Sequence, residues 1–225
     1  MQINILYRPA HTMAQVWLAP NESVVAESGA MVGMSPNVQI QTSTGGGIMK
    51  GLKRLFGGES FFRNTFTAAG GNGEVLLAHS LCGDIATLDM TQGGYFIQST
   101  CYIASTPTVD LDSKWKGAKG VFSGAGMFTL KATAQGPGQV VIGAFGGLQE
   151  IPVNGEFVVD TGHIVAWDST LTYKVGKSGA GWIASFLSGE GFVCHFKGQG
   201  RVWIQSRNAG AYGQAIGAML PPRKE

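Results

Sequence analysis

Four residues of reactive type sit close together near the C-terminal end of the chain. They are Glu190, Cys194, His195 and Arg201, all within Gly189–Ser206. A carboxylate, a thiol, an imidazole and a guanidinium in one stretch could make a nucleophilic or acid–base site. Spacing argues against it. Cys194 and His195 are adjacent, so in a strand they point to opposite faces and cannot share a substrate or an ion. The stretch reads instead as two short strands around a glycine turn at Gly198-Gln199-Gly200. On that reading Phe192, Cys194 and Phe196 face one way and Val193, His195 and Lys197 the other. Val202 and Ile204 oppose Arg201, Trp203 and Gln205.

Other chemistries fail on their own requirements. A phosphate cradle needs G-x-x-x-x-G-K-[ST], and Gly176-Lys177-Ser178 has its tail but Leu171 in place of the first glycine. His11, His79, His163 and His195 are isolated, with no H-E-x-x-H and no C-x-x-C, so no metal set is expected. Ser113-Lys114-Trp115-Lys116 fits S-x-x-K without the partner motifs of that enzyme class. The carboxylates Glu27, Asp160, Glu59, Glu190 and Glu74 read as turn caps, or as partners of Arg63 and Arg201 across strands. Trp17, Trp115, Trp167, Trp182 and Trp203 lack a basic stripe that would make them a nucleic-acid platform. They are expected in the core or at an interface. No catalytic, cofactor-binding or metal-binding residue is assigned.

The elements that hold these residues recur. Gly58-Glu59-Ser60-Phe61-Phe62 is followed by Gly73-Glu74-Val75-Leu76-Leu77. Gly124-Ala125-Gly126-Met127-Phe128 is followed by Gly138-Gln139-Val140-Val141-Ile142. Gly189-Glu190-Gly191-Phe192-Val193 is followed by Gly200-Arg201-Val202-Trp203-Ile204. Val24 to Val32 also aligns with Phe157 to Val165, with Gly29 on Gly162. A looser third version runs from Tyr95 to Ala104 with Cys101 in the glycine's place. A period of about 65 residues with glycines at matching places points to internal duplication. Three units are expected, roughly 14–82, 83–148 and 149–207, with a tail at 208–225, all in one domain. The fold class is all-β, a β-sandwich or double-stranded β-helix. Strands with apolar residues on both faces, such as Val140-Val141-Ile142, should be covered on both sides. Helical spacing is confined to 48–56 and 208–219.

Composition agrees. Of the 225 residues only 13% are charged, and 35 are glycine. Such a chain suits short strands and tight turns. So little surface charge suggests that part of the surface is covered by another subunit. A net charge of +2 is too small to imply nucleic acid. Cys82, Cys101 and Cys194 are scattered and odd in number, which fits buried thiols in a reducing compartment. There is no secretory signal and no membrane-spanning run, so a cytoplasmic location is expected.

One insertion breaks the pattern. In Thr44–Gly58, Ile48, Leu52 and Leu55 share a helical face, Met49 and Phe56 flank it, and Lys50, Lys53 and Arg54 form the densest positive cluster. This short basic amphipathic element is the candidate contact with a membrane surface or a protein partner. Packing on its own sheet is the plainer alternative.

Glu27-Ser28-Gly29-Ala30-Met31, Gly57-Gly58-Glu59-Ser60-Phe61-Phe62-Arg63-Asn64-Thr65-Phe66, Val159-Asp160-Thr161-Gly162-His163 and the stretch from Gly189 to Gln205 carry a resemblance. It runs from about Gln15 to Arg207. The chain resembles the altered-inheritance-of-mitochondria protein 24 family, bacterial proteins with a mitochondrial relative. The resemblance implies a fold like that of the tryptophan RNA-binding attenuation protein and a homo-oligomer, a trimer. It supplies no catalytic residues. The expected role is a non-enzymatic structural or interaction protein, peripheral to the membrane through 45–57. A small-molecule or nucleic-acid binding regulator is the alternative.

Overall fold

The computed structural model describes residues 1–43, 62–112, 129–177 and 192–221. The insertion around 48–56 lies outside them, as do Glu190, Ser113-Lys114, Trp115 and Trp182. The described chain is all-β apart from short 3-10 turns and one helix. In order the strands are β1 (Gln2–Leu6), β2 (Met13–Leu18), β3 (Ser23–Glu27), β4 (Met31–Met34), β5 (Val38–Ser43), β6 (Arg63–Ala68) and β7 (Gly73–Ala78). Then come β8 (Ile85–Asp89), β9 (Tyr95–Gln98), β10 (Tyr102–Ser105), β11 (Val109–Asp112), β12 (Thr129–Ala134) and β13 (Gln139–Gly143). The last are β14 (Leu148–Asp160), β15 (Ile164–Asp168), β16 (Thr172–Lys177) and β17 (Phe192–Gln205), followed by α1 (Ala209–Gly217).

They form three antiparallel sheets. One has the order β1-β2-β7-β4, the second β5-β6-β3-β10-β13-β8, and the third β11-β12-β9-β15-β17-β14 with β16 also on β17. One pairing scheme occurs three times. β3 pairs β6, β9 pairs β12, and the second half of β14 pairs the first half of β17. β2 pairs β7, β8 pairs β13, and the first half of β14 pairs the second half of β17. β4, β10 and β15 each add to the far side of β7, β13 and β17, each with an irregularity after its first residue. β5, β11 and β16 add to β6, β12 and β17. A side chain follows the scheme too. The N–H groups of Glu74, Gln139 and Arg201 donate to Ser35 Oγ at 3.0 Å, Thr106 Oγ1 at 3.1 Å and Asp168 Oδ2 at 2.7 Å.

The glycine motif is not a hairpin. β6 and β7 do not pair with each other, nor do β12 and β13. β17 runs straight through Gly198 and Gly200 as one strand of 14 residues, in register with β14 at thirteen positions. Each half of the motif already has a neighbour on both sides. Folding the halves together would leave those neighbours' backbone groups unpaired, which is costly in a core. The glycines serve close approach instead. A Cβ on Gly73, Gly138 or Gly200 would lie 2.7 Å from Val38 Cγ2, 2.8 Å from Thr108 Oγ1 or 2.9 Å from Leu171 Cγ. At each of these places the preceding turn crosses the bend.

The six-stranded sheet lies between two apolar cores. On β13, Val141 joins Val16, Val24, Phe66 and Leu77 on one side. Val140 and Ile142 join Tyr102, Ile97, Leu130 and Trp203 on the other. Both faces are buried, as an unbroken apolar strand requires. A third core forms where the seven-stranded sheet curls over itself. There Trp167 meets Phe96, Tyr173 and Phe196 at centroid distances of 5.3, 5.1 and 5.5 Å. The helix expected over 208–219 is present and capped by the Asn208 side chain, which accepts from Gly210 and Ala211 N–H. It buries none of its residues and touches the body through Tyr212 against Phe145. β1, which has no counterpart in the sequence pattern, pairs β2 in full register.

Candidate functional site

The candidate contact residues Ile48, Met49, Lys50, Leu52, Lys53, Arg54, Leu55 and Phe56 fall outside the described residues. Of the four reactive residues near the C-terminal end, three are described and they diverge. Cys194 is buried, and burial pushes its thiol up to about 12. At neutral pH it is therefore a thiol and a poor nucleophile. His195 is exposed on the other face. Arg201 turns away to Asp168, donating from Nε to Oδ2 at 3.0 Å and from Nη2 to Oδ1 at 3.1 Å. It also reaches Tyr95 Oη at 3.3 Å, and its guanidinium lies 4.8 Å from the Trp203 ring centre. Donating to the Asp168 carboxylate holds the Arg201 guanidinium well above its ordinary pKa. Asp168 sits at the end of β15, a partner that sequence spacing did not suggest. This cluster clamps the turn after β15 to β17, and it is fully satisfied.

A second clamp is built on Asp84, which is buried. It accepts from Arg8 Nε and Nη2 at 3.1 and 2.8 Å, from Thr12 Oγ1 at 3.2 Å and from Ile85 N–H at 2.9 Å. The chain beside it is very close. Gly83 bridges Gly146, and Gly146 N–H donates to Cys82 O at 2.9 Å. Asp160 caps the 3-10 turn that follows it, accepting from Gly162 N–H at 2.7 Å, as expected of a turn carboxylate. The 3-10 turns Ser99–Cys101 and Thr161–His163 match, which sets Thr100, not Cys101, level with Gly162. Of the three cysteines, all free thiols, Cys101 and Cys194 are buried and Cys82 is exposed. Among the described residues no His, Cys, Asp and Glu cluster could hold a metal ion.

Among the described residues Glu27 is the one carboxyl pushed toward neutrality. Burial pushes it up to about 7. It stands opposite Arg63 in the β3–β6 register, and its charge bears on Cys101 and Tyr102. In the folded chain it keeps its proton to about 7, whereas unfolded it would lose it near 4.5. The folded state therefore binds more protons between these values, and stability falls as pH rises through that window. The side chain is only half-buried and solvent screens it, so the loss is about 1 kcal/mol rather than the full shift. Glu27→Gln should flatten denaturant-unfolding stability between pH 5 and pH 8. A variant that keeps the wild-type slope would place that proton elsewhere.

Two open surfaces stand out among the described residues. A cavity of about 640 Å³ lies over β16 and β17, with Tyr173 and Phe196 beneath and Lys174, His195, Lys197 and Glu156 around it. Lys197 is held by Glu156 at 2.8 Å. The other opening is a pair of strand edges. β4 ends its sheet with Met31, Val32 and Met34 exposed, and the second half of β14 ends another with Val158 exposed.

Comparison with known proteins adds identity. An uncharacterised protein of Streptococcus pyogenes serotype M6 is 28% identical over 220 residues, covering 93% of this chain and 87% of that one. A crystal structure of a Streptococcus pyogenes protein, a structural-genomics target, superimposes with a TM-score of 0.81 at 24% identity. It covers 97% of this chain and 99% of that one, and it shows the fold alone. The family model described as mitochondrial biogenesis AIM24 matches residues 3–207, and with nearly the whole chain matched, the protein belongs to that family.

Proposed function

We propose that this is a non-enzymatic structural or interaction protein that works as a homo-oligomer in the cytoplasm. The observation that carries the reading is the contrast between its polar and apolar groups. The Asp168–Arg201 and Asp84–Arg8 clusters are closed upon themselves and hold turns, while apolar side chains stand open along two sheet edges. Monomeric proteins rarely leave such edges uncovered. A trimer is the form that the family resemblance implies.

The basic segment Ile48–Phe56 is proposed as the contact with an anionic membrane surface or a protein partner, on its sequence pattern alone. Several copies in one oligomer would add avidity to a weak single contact. Flotation with anionic liposomes tests this. Wild type should float, and a Lys50/Lys53/Arg54→Ala variant should stay in the soluble fraction. If both stay soluble, the membrane contact is wrong.

The cavity over Tyr173 and Phe196, rimmed by Lys174 and Lys197, favours one second reading, a regulator that binds a small anionic aromatic molecule. A thermal-shift screen against amino acids and nucleotides separates the two. A ligand at 100 times its Kd would stabilise by about 2.7 kcal/mol. The interaction reading expects no such shift, and a ligand that is also turned over would overturn it.

A further inference from the structure

We infer that the cavity over β16 and β17 takes a phosphate monoester, with Lys174 and His195 as the pair that receives the phosphate. This deepens the second reading above, the small anionic ligand, and rests on it.

The threefold pairing scheme gives this pair two counterparts. Gln98 and Asp160 precede matching 3-10 turns, and Glu27 ends β3 at the same place. Opposite them in register stand Thr129, Val193 and Arg63. Two positions further along these strands come Lys131, His195 and Thr65. Each has a residue of the added edge strand directly opposite, on the same face of the sheet. On β5, Gln41 stands opposite Thr65, and both are uncharged. On β11, Asp112 stands opposite Lys131, so opposite charges face each other. On β16, Lys174 stands opposite His195, and both are basic. Like charges directly opposite are unfavourable in a sheet. The same position is thus neutral once, balanced once, and left with excess positive character only on the wall of the cavity.

The carboxylates around the pair are already engaged. Glu156 stands opposite Lys197 and accepts from its Nζ at 2.8 Å. That bond holds the Glu156 carboxyl below the usual carboxylate range, and His195 adds a smaller pull. Asp160 accepts from Gly162 N–H at the turn. Among the described residues Lys174 has no ion pair, and both Lys174 and His195 are exposed. The position directly opposite His195 on its other side is Val158, which brings no charge.

Charge favours phosphate over carboxylate as the missing partner. Opposed residues in an antiparallel pair have Cβ atoms about 4.5–5.5 Å apart, so one tetrahedral anion reaches both side chains through different oxygens. A carboxylate brings a single charge. A phosphate monoester brings about −1.5 to −2 at neutral pH and three acceptor oxygens. It satisfies Lys174 and His195 together and leaves the Glu156–Lys197 pair intact. Gly176 lies beside Lys174 on the same face, and nothing comes within 4 Å of where its Cβ would be. That opening leaves room for the body of the ligand.

Calorimetric titration of the full chain with phenyl phosphate, benzoate and inorganic phosphate tests the assignment. Phenyl phosphate should bind about tenfold tighter than benzoate, and inorganic phosphate should displace it. Lys174→Ala and His195→Gln should each weaken phenyl phosphate about tenfold. Glu156→Gln should tighten it a few-fold, because Lys197 is released and one negative charge is lost. A merely structural role for these side chains predicts no tightening. All are exposed, so the variants should keep the circular dichroism and Tm of wild type. Benzoate binding as tightly as phenyl phosphate, with both lost in Lys174→Ala, would overturn the phosphate assignment and leave the anionic-ligand reading standing. Phenyl phosphate binding that neither Lys174→Ala nor His195→Gln changes would overturn the site. No binding of either aromatic anion up to about 10 mM would overturn the reading itself.

Discussion

Trp167→Ala should cost about 3–5 kcal/mol, the usual range for removing a fully buried tryptophan. The ring is completely buried and contacts Phe96, Tyr173 and Phe196. Phe96 lies on β9, Trp167 on β15, Tyr173 on β16 and Phe196 on β17, so one side chain ties four strands together. Phe96 and Trp167 are also direct cross-strand neighbours, and aromatic pairs add to area burial. Domains of this size have total stabilities of about 5–15 kcal/mol. The loss should therefore lower Tm by roughly 10 °C, read by calorimetry. Trp167→Phe keeps much of the ring packing and should lose less than half as much. Equal losses from the two variants would mean that contacts specific to the indole, and not the size of the cavity left behind, set the cost.

Gly83→Ala should be nearly as severe although it adds a single methyl group. Its Cβ would lie 1.9 Å from Ala144 O and 2.7 Å from both Gly146 N and Gly146 O. These are backbone atoms, so no side chain can swing aside and the chain itself must move. Four hydrogen bonds depend on the present spacing. Asp84 N–H donates to Gly146 O, Ala144 N–H to Asp84 O, Gly146 N–H to Cys82 O and Thr12 N–H to Gly83 O. Overpacking alone costs about 1–3 kcal/mol, and each buried group left unpaired adds about 1–3 kcal/mol. A loss of at least 3 kcal/mol is expected in urea unfolding. Gly213→Ala is the control. That glycine lies within the exposed helix α1 with nothing within 4 Å, so alanine should help the helix by up to ~1 kcal/mol. A Gly83→Ala protein as stable as wild type would mean that the Gly83–Gly146 contact is looser than described.

The sequence marks strands well where apolar residues alternate or run unbroken. Val140-Val141-Ile142 announces a strand covered on both sides, and the structure buries all three residues. It does not reveal partners, because pairing depends on what lies opposite in space. That is why Gly198-Gln199-Gly200 reads as a hairpin turn and is instead the middle of β17, matched to Gly155, Asn154 and Val153 on β14. The alternation expected on Phe192–Lys197 holds at Cys194, His195, Phe196 and Lys197 and fails at Phe192 and Val193, since Phe192 is exposed and Val193 buried. β1 escapes the pattern because Gln2–Leu6 has no counterpart in the recurring glycine motifs. Arg201 was legible as a paired residue, but its partner Asp168 comes from a strand more than thirty positions away. The open edges at β4 and β14 are invisible in sequence for the same reason. Met34 and Val158 look like any core residues until the strands beside them are counted.

The nesting of partners bears on how the chain is made. β2 closes on β7 and β3 on β6 before β8 is reached in sequence, and β8 closes on β13 before β14 begins. A chain leaving the ribosome N-terminus first can thus complete each ladder from residues already synthesised. Each finished ladder then presents one waiting strand, β3 and later β9, to which β10 and β15 attach. Growth is directional, like adding tiles to one end of a row. The third strand of that kind, in β14, comes after both of these in the chain, so it is the last of the three to be offered.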